Sequence, residues 1–225
     1  MTNYWDIQFL SKLKIQPKII FEVGARYGDE TLKLAETFPD ATIYSFECNP
    51  LTIDICKDKL KNKKNVIFIN TALGDEESTK PFYSYIKNND GCSSFLKRID
   101  FEETQFYTGD INITTLKNII NDFNLETIDL LCMDTQGYEL NILKGAEHHI
   151  NKIKYVIMEE PKQVINTEFL PKNMYSKYIC APTPIEIKAF MEQNNFMEMV
   201  RIDENDIEDN VMYENLTQDL TLSSA

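Results

Sequence analysis

Short apolar runs alternate with stretches of helical periodicity along most of this chain, and that alternation restricts the fold more than any single motif. Lys18–Val23 (KIIFEV), Thr42–Glu47 (TIYSFE), Asn65–Asn70 (NVIFIN), Ile128–Asp134 (IDLLCMD) and Lys154–Glu159 (KYVIME) read as buried strands. Asp29–Phe38, stopped by Pro39, together with Leu51–Leu60, Leu116–Phe123, Tyr138–Ile150 and Pro184–Asn194, read as helices. The pattern predicts an α/β fold, with a mostly parallel sheet covered by helices on both faces. Phe196–Arg201 and Asn210–Asn215, joined by an acidic turn, predict an antiparallel hairpin at one edge. Lys80–Lys87 predicts an extra strand. Residues 88–109 are polar, contain Gly91 and Gly109, and read as a lid or substrate loop with one helical piece.

A length of 225 residues fits one domain. Residues 1–17 read as an N-terminal extension, 18–216 as the domain and 217–225 as a loose tail. The net charge is −13, from 36 acidic and 23 basic residues. Such a surface repels phosphate backbones and argues against nucleic-acid partners; the lysines at 57, 59, 61, 63 and 64 read as a solvated helix end and turn. No apolar run reaches the roughly 20 residues that cross a bilayer, and residues 1–14 lack the pattern of a signal peptide. The five cysteines, Cys48, Cys56, Cys92, Cys132 and Cys180, are scattered, with no C-x-x-C pair. Neither zinc nor a disulfide framework is implied, and a reducing cytoplasm is the expected setting.

Open α/β sheets bind ligands beyond the carboxyl ends of their strands. The first strand runs into Glu22-Val-Gly24-Ala-Arg-Tyr-Gly28 and then a helix. Glycines there let the backbone turn tightly and approach a ligand. A dinucleotide fingerprint needs G-x-G-x-x-G, and this loop has Arg at position 26 and no third glycine in register. S-adenosylmethionine (SAM) has no pyrophosphate and suits the loop better. Glu22 is placed to meet its ammonium group, Glu47 to accept from both ribose hydroxyls, and the Thr71–Asp75 turn to border adenine.

The stretch Ile128-Asp-Leu-Leu-Cys-Met-Asp134-Thr-Gln-Gly137-Tyr-Glu139-Leu-Asn-Ile-Leu143-Lys-Gly145-Ala146 resembles the "iDllKiDtqGyElevLkGa" pattern of the FkbM-type methyltransferases. Phe21–Asp29, Phe46-Glu47-Cys48-Asn49-Pro50, Ala72–Asp75 and Gly91–Ser94 are similar to further blocks of that family. The resemblance covers roughly residues 18–160. It implies a Rossmann-like class I methyltransferase fold with a seven-stranded sheet, SAM as cofactor, and O-methylation of a sugar, glycan precursor or natural-product hydroxyl. It also implies cofactor contacts from Glu22, Gly24, Ala25, Gly28, Glu47, Cys48, Ala72, Leu73, Ser93, Ser94 and Asp134. A small-molecule acceptor, carbohydrate by expectation, is the implied partner, and a homodimer stays open. Cys48, Arg26, Cys132 and Glu22 depart from the family's usual residues; the departures at Arg26 and Cys132 bear on substrate preference.

Methyl transfer to a hydroxyl needs alignment and a proton acceptor. The two histidines, His148 and His149, lie more than two helical turns beyond Gly137 and read as structural. Carboxylates at strand ends remain. Asp134 is the candidate base or orienting group, and Glu159 or Glu160 the candidate acceptor ligand. Asp134 also suits a helix cap, and Glu139 reads as a structural group reaching back to the loop. Carboxylates this close could hold Mg²⁺, although no residue is assigned to a metal. Residues 175–184, rich in Tyr and Pro, and the aromatic side chains Tyr83, Tyr85, Phe95, Phe101, Phe106 and Tyr107 are expected near the acceptor. Two rival readings share the fold: an NAD-dependent oxidoreductase, disfavoured by the glycine pattern, and a non-catalytic binding module, disfavoured by Glu22, Glu47 and Asp134. Methylation of basic peptides stays open as a third.

Overall fold

Successive side chains of a strand point to opposite faces of its sheet, and in the computed structural model both sets are buried along the central strands. On one face Phe21, Val23, Phe46, Leu131, Met133, Val156 and Met158 share a core with helical residues such as Leu116, Leu140 and Leu143. On the other, Ile20, Ile43, Leu130, Cys132 and Ile157 pack against Leu34, Ala35 and Phe38. Burial of both faces is the reason these strands read as continuous apolar runs. The structure describes residues 10, 15–85, 87–99, 105–162, 175–203 and 207–217. Most of the N-terminal extension, Phe101, and most of the expected tail therefore lie outside the described residues.

The elements are β1 (Ile19–Val23), α1 (Asp29–Thr37), β2 (Thr42–Phe46), α2 (Ile53–Leu60), β3 (Val66–Ile69), β4 (Ala72–Gly74), β5 (Ser78–Tyr85), β6 (Gln105–Thr115), α3 (Leu116–Asp122), β7 (Ile128–Met133), α4 (Glu139–Lys144), β8 (Ile153–Pro161), α5 (Pro184–Gln193), β9 (Phe196–Asp203) and β10 (Glu208–Asn215). Short 3₁₀ turns span Lys87–Cys92 and Glu147–Lys152. The main sheet has seven strands in the order β3-β2-β1-β7-β8-β10-β9. Pairs from β3 to β8 are parallel, and β10 runs antiparallel between β8 and β9. The expected α/β class, parallel sheet and C-terminal hairpin are all present. The order reverses between β1 and β7, so the carboxyl ends of these two strands flank the crevice where ligands bind in such sheets.

Two segments differ from the sequence expectation. Residues 105–109 belong to β6, a long strand that pairs with β5 and β4 in a second, three-stranded sheet. The first half of β6 is largely solvent-facing, so its polar residues resemble a loop. The expected lid is shortened accordingly, and its helical piece is the turn at Lys87–Cys92. The helix expected over 138–150 breaks at Gly145, where a Cβ would lie 1.9 Å from the Gly74 carbonyl oxygen; close approach of β4 requires a glycine here. Asp129, one residue into β7, accepts from the backbone of Lys18 and Ile19 and from Lys154 Nζ. Burial opposes its charge, but the Lys154 ammonium and these N–H donors outweigh it and hold the carboxyl below its ordinary range. The start of β1 is thereby tied to β7 and β8. Among the described residues no helix is long and apolar enough to cross a membrane.

Candidate active site

The carboxyl ends of β1, β2 and β7, with the segment 71–73 and the turn at 90–95, enclose a cavity of about 550 Å³. That volume suits a cofactor with a small substrate. Gly24 brings the walls together. Its φ of 93° is left-handed, and a Cβ there would lie 2.1 Å from the Asp134 carbonyl oxygen. Around it, Gly24 and Ala25 N–H both donate to Phe46 O at 3.0 Å, and Asp134 N–H donates to Val23 O at 3.0 Å. The three strand ends are thus stitched into one rim.

Three of the carboxylates that line this cavity stand at strand ends. Glu22, buried at the end of β1, accepts from Thr31 Oγ1 at 2.6 Å and from Ser45 Oγ at 3.1 Å, both on Oε2. Burial pushes its carboxyl up to about 8 despite those two hydroxyls. A carboxyl in that state gains from a cation placed beside it. Glu47 follows β2 and is also raised by burial. Its Oε2 accepts from Arg26 N–H and its Oε1 from Asn49 N–H. The Thr52 hydroxyl and the Cys48 N–H also favour its charged form, and the carboxylate lines the cavity. Asp134 follows β7. Burial pushes it up to about 7, the Gln136 amide opposes this, and Glu139, Glu208 and Glu30 add to it.

The remaining lining is mixed. Cys48, Thr71, Ala72, Leu73 and Ser93 contribute to the wall, as do Phe46, Phe82, Phe95, Tyr138 and Ile142. Phe95 joins two aromatic contacts, edge-on to Phe82 at 5.0 Å and tilted on Tyr138 at 5.1 Å between ring centroids. Arg26, in the glycine loop, pairs with Asp90 of the 87–92 turn, which also accepts from the Tyr27 hydroxyl. The glycine loop and the turn over the cavity are therefore clasped.

Of the residues expected at the site, Glu22, Gly24, Glu47, Cys48, Ala72, Leu73, Ser93 and Asp134 share this cavity. Ala25 and Gly28 do not line it. Ala25 packs with Cys56 and Leu60, and a Cβ on Gly28 would meet Leu60 and Cys56 at 3.1–3.3 Å; both lie against α2. Ser94 is turned away, its hydroxyl donating to Gln136 O at 3.0 Å. Glu159 stands behind Gln136, on a separate small cavity shared with Glu139, Glu160 and Glu208. Glu160 is held by Arg201 Nη2 at 3.0 Å and by the Tyr213 hydroxyl, an ion pair that braces β8 against β9 and β10. Cys132 sits in the core beneath α1 and is absent from the cavity wall. Tyr85 is fully buried in the fold, whereas Phe106 and Tyr107 lie exposed on β6. Glu139 does reach back as expected, accepting from Thr135 N–H at 2.7 Å and from its hydroxyl at 2.9 Å. His148 and His149 stack on each other in the 147–152 turn, outside the cavity.

Sequence reasoning missed Arg26, Asp90 and Gln136 as a group. The DTQG string put Gln136 in view, but its partners lie on other elements. Among the described residues no group of three or more His, Cys, Asp or Glu is arranged to hold a metal ion.

A family model described as the methyltransferase FkbM domain matches residues 22–203. The 2-O-methyltransferase NoeI of Sinorhizobium fredii (strain NBRC 101917 / NGR234) is 22% identical over 176 residues, covering 73% of this chain and 72% of that protein. Among solved structures, a methyltransferase FkbM from Methylobacillus flagellatus KT has a TM-score of 0.55 at 13% identity, covering 88% of this chain. This chain spans only 44% of that protein. The N-terminal domain of EvdMO1, solved with S-adenosylhomocysteine (SAH) bound, has a TM-score of 0.52 at 12% identity, covering 96% of this chain and 82% of that one. Both structures share the fold.

Proposed function

We propose, for a chain that belongs to the FkbM methyltransferase family and is a SAM-dependent methyltransferase, that its acceptor is a hydroxyl of a sugar, glycan precursor or natural-product-like small molecule. The observation that carries this reading is Asp134. It is a carboxylate at the end of β7, on the same cavity wall as the two carboxylates suited to the cofactor, with an affinity for protons set near neutrality.

The cavity fits the cofactor class on its own chemistry. Glu22 is a buried carboxyl with two hydroxyl partners and no cation among them, and it would receive the ammonium group. Glu47, which lines the same cavity, would accept from the ribose hydroxyls. Thr71, Ala72 and Leu73, on the same cavity as Phe46 and Phe82, would border adenine. When bound, SAM supplies a methyl group on a sulfonium, electrophilic enough for direct displacement. The chain's part is then to align the acceptor and to remove its proton. Asp134 would accept that proton, and Phe95 and Tyr138, on the same cavity, would offer flat apolar faces to a sugar ring and help exclude water. Support for a hydroxyl acceptor also comes from NoeI, a relative named as a 2-O-methyltransferase.

The reading is tested by incubating the protein with isotope-labelled SAM and a panel of free sugars, short glycans, phenolic and aliphatic alcohols and basic peptides, with and without Mg²⁺. Label is expected on a hydroxyl oxygen of a carbohydrate or small alcohol. Label confined to peptide nitrogen would overturn the assignment of the acceptor.

A further inference from the structure

Carboxylates from two neighbouring strands meet on one amide nitrogen. Gln136 Nε2 donates to Asp134 Oδ1 at 2.5 Å and to Glu159 Oε2 at 3.1 Å. The amide is oriented from its far side, where the Tyr178 hydroxyl lies 2.5 Å from Gln136 Oε1 and 3.0 Å from the Cys92 carbonyl. Arg98 donates to that hydroxyl at 3.3 Å and lies over the Tyr178 ring. An amide oxygen turned toward two carboxylates would be repelled, which favours the observed orientation, with the single Tyr178 hydroxyl hydrogen shared between Gln136 Oε1 and the Cys92 carbonyl. The backbone is held as well. Ser94 Oγ donates to Gln136 O at 3.0 Å, and Gln136 has a left-handed φ of 58°, which a non-glycine residue keeps only when its surroundings impose it.

We propose that Gln136 is a positioning residue: its amide joins Asp134 to Glu159, holds the Asp134 carboxyl at the cavity wall, and keeps it available to take a proton. The proposal rests on the reading of Asp134 as the base. Glu159 of β8, Glu139 of α4, Glu208 of β10 and Glu30 of α1 surround Asp134 with negative charge, and such neighbours disfavour its ionisation. The amide supplies an N–H to Asp134 and to Glu159, and a donated hydrogen bond favours the charged form of Asp134. Tyr178 gives the 175–183 segment a part in this arrangement without lining the cavity itself.

The test is a titration of Asp134 by carbon NMR of aspartate-carboxyl-labelled protein, its signal identified by loss in Asp134→Asn. Gln136→Met keeps the side-chain length and removes both donors. The midpoint of Asp134 is then expected to rise by about one pH unit, and the acid limb of kcat/KM to move with it while turnover recovers at high pH. Tyr178→Phe keeps the donors but frees the amide to turn; a smaller shift in the same direction is expected, and this variant decides the matter if Gln136→Met does not fold. An unmoved Asp134 midpoint in the variant that folds would overturn the proposal. A midpoint that moves while the activity profile stays fixed would leave the amide's hold on Asp134 standing and remove Asp134 from the chemistry, so the two failures are distinguishable.

Discussion

Replacing Asp134 by asparagine is expected to lower kcat by about 10²- to 10⁴-fold, the usual contribution of a general base, while cofactor affinity is largely retained. Asparagine preserves the shape of the side chain and can still accept from Gln136, so the rim of β1 and β7 should survive. What it loses is the ability to take a proton. In the unaltered protein, burial raises the Asp134 carboxyl to about 7. A base works only when ionised, so kcat/KM should rise with pH through that value and level off above it. The asparagine variant should lack this limb. Steady-state rates from pH 5.5 to 9, with cofactor binding measured in parallel, decide the point; full turnover in the variant would mean that the proton leaves by another route.

The second large effect is expected at Gly24. Alanine there meets the Asp134 carbonyl at 2.1 Å and must also adopt a φ of 93°. Overpacking costs about 1–3 kcal/mol and left-handed backbone about 1–2 kcal/mol, so Gly24→Ala should destabilise the domain by roughly 3 kcal/mol. In a chain of this size that lowers Tm by roughly 10 °C. The clash is relieved only if β1 and β7 part, which carries Glu22 and Asp134 away from each other. Cofactor binding should therefore fail even at temperatures where the variant is folded. Gly109→Ala is the matched control. Its φ of 147° is also one that glycine favours, but nothing lies within 4 Å of the added carbon, so a modest loss of stability with normal cofactor binding is expected. Equal behaviour of the two variants would show that conformational strain, and not the contact between strand ends, governs the site.

The central strands were legible in sequence because both of their faces are buried. Ile20 and Phe21, or Leu130 and Leu131, point to opposite faces yet are equally apolar. The same rule hid β6, which turns much of its surface to solvent and carries Thr108, Gly109 and Asp110 within a strand. β4 is three residues long, too short to show any period. In the site, Glu22 and Glu47 could be read from their places at strand ends. Glu160 occupies a similar place, but its role depends on Arg201, 41 residues away. The Gln136–Tyr178 and Arg26–Asp90 contacts likewise join residues 42 and 64 apart. Local pattern carries no information about such pairs, since they exist only once sheet order and the path of the 87–99 segment are set.

On the proposed reading, the cavity between β1 and β7 would hold the adenosyl cofactor, with Glu47 on its ribose. Isothermal titration of the protein with SAM and with SAH, repeated for Glu47→Ala, tests it most directly. Micromolar binding of both molecules by the unaltered protein is expected, and its loss in the variant, with the variant's fold confirmed by its thermal melt. Undiminished binding in a folded Glu47→Ala variant, or no binding of either molecule by the unaltered protein, would contradict it.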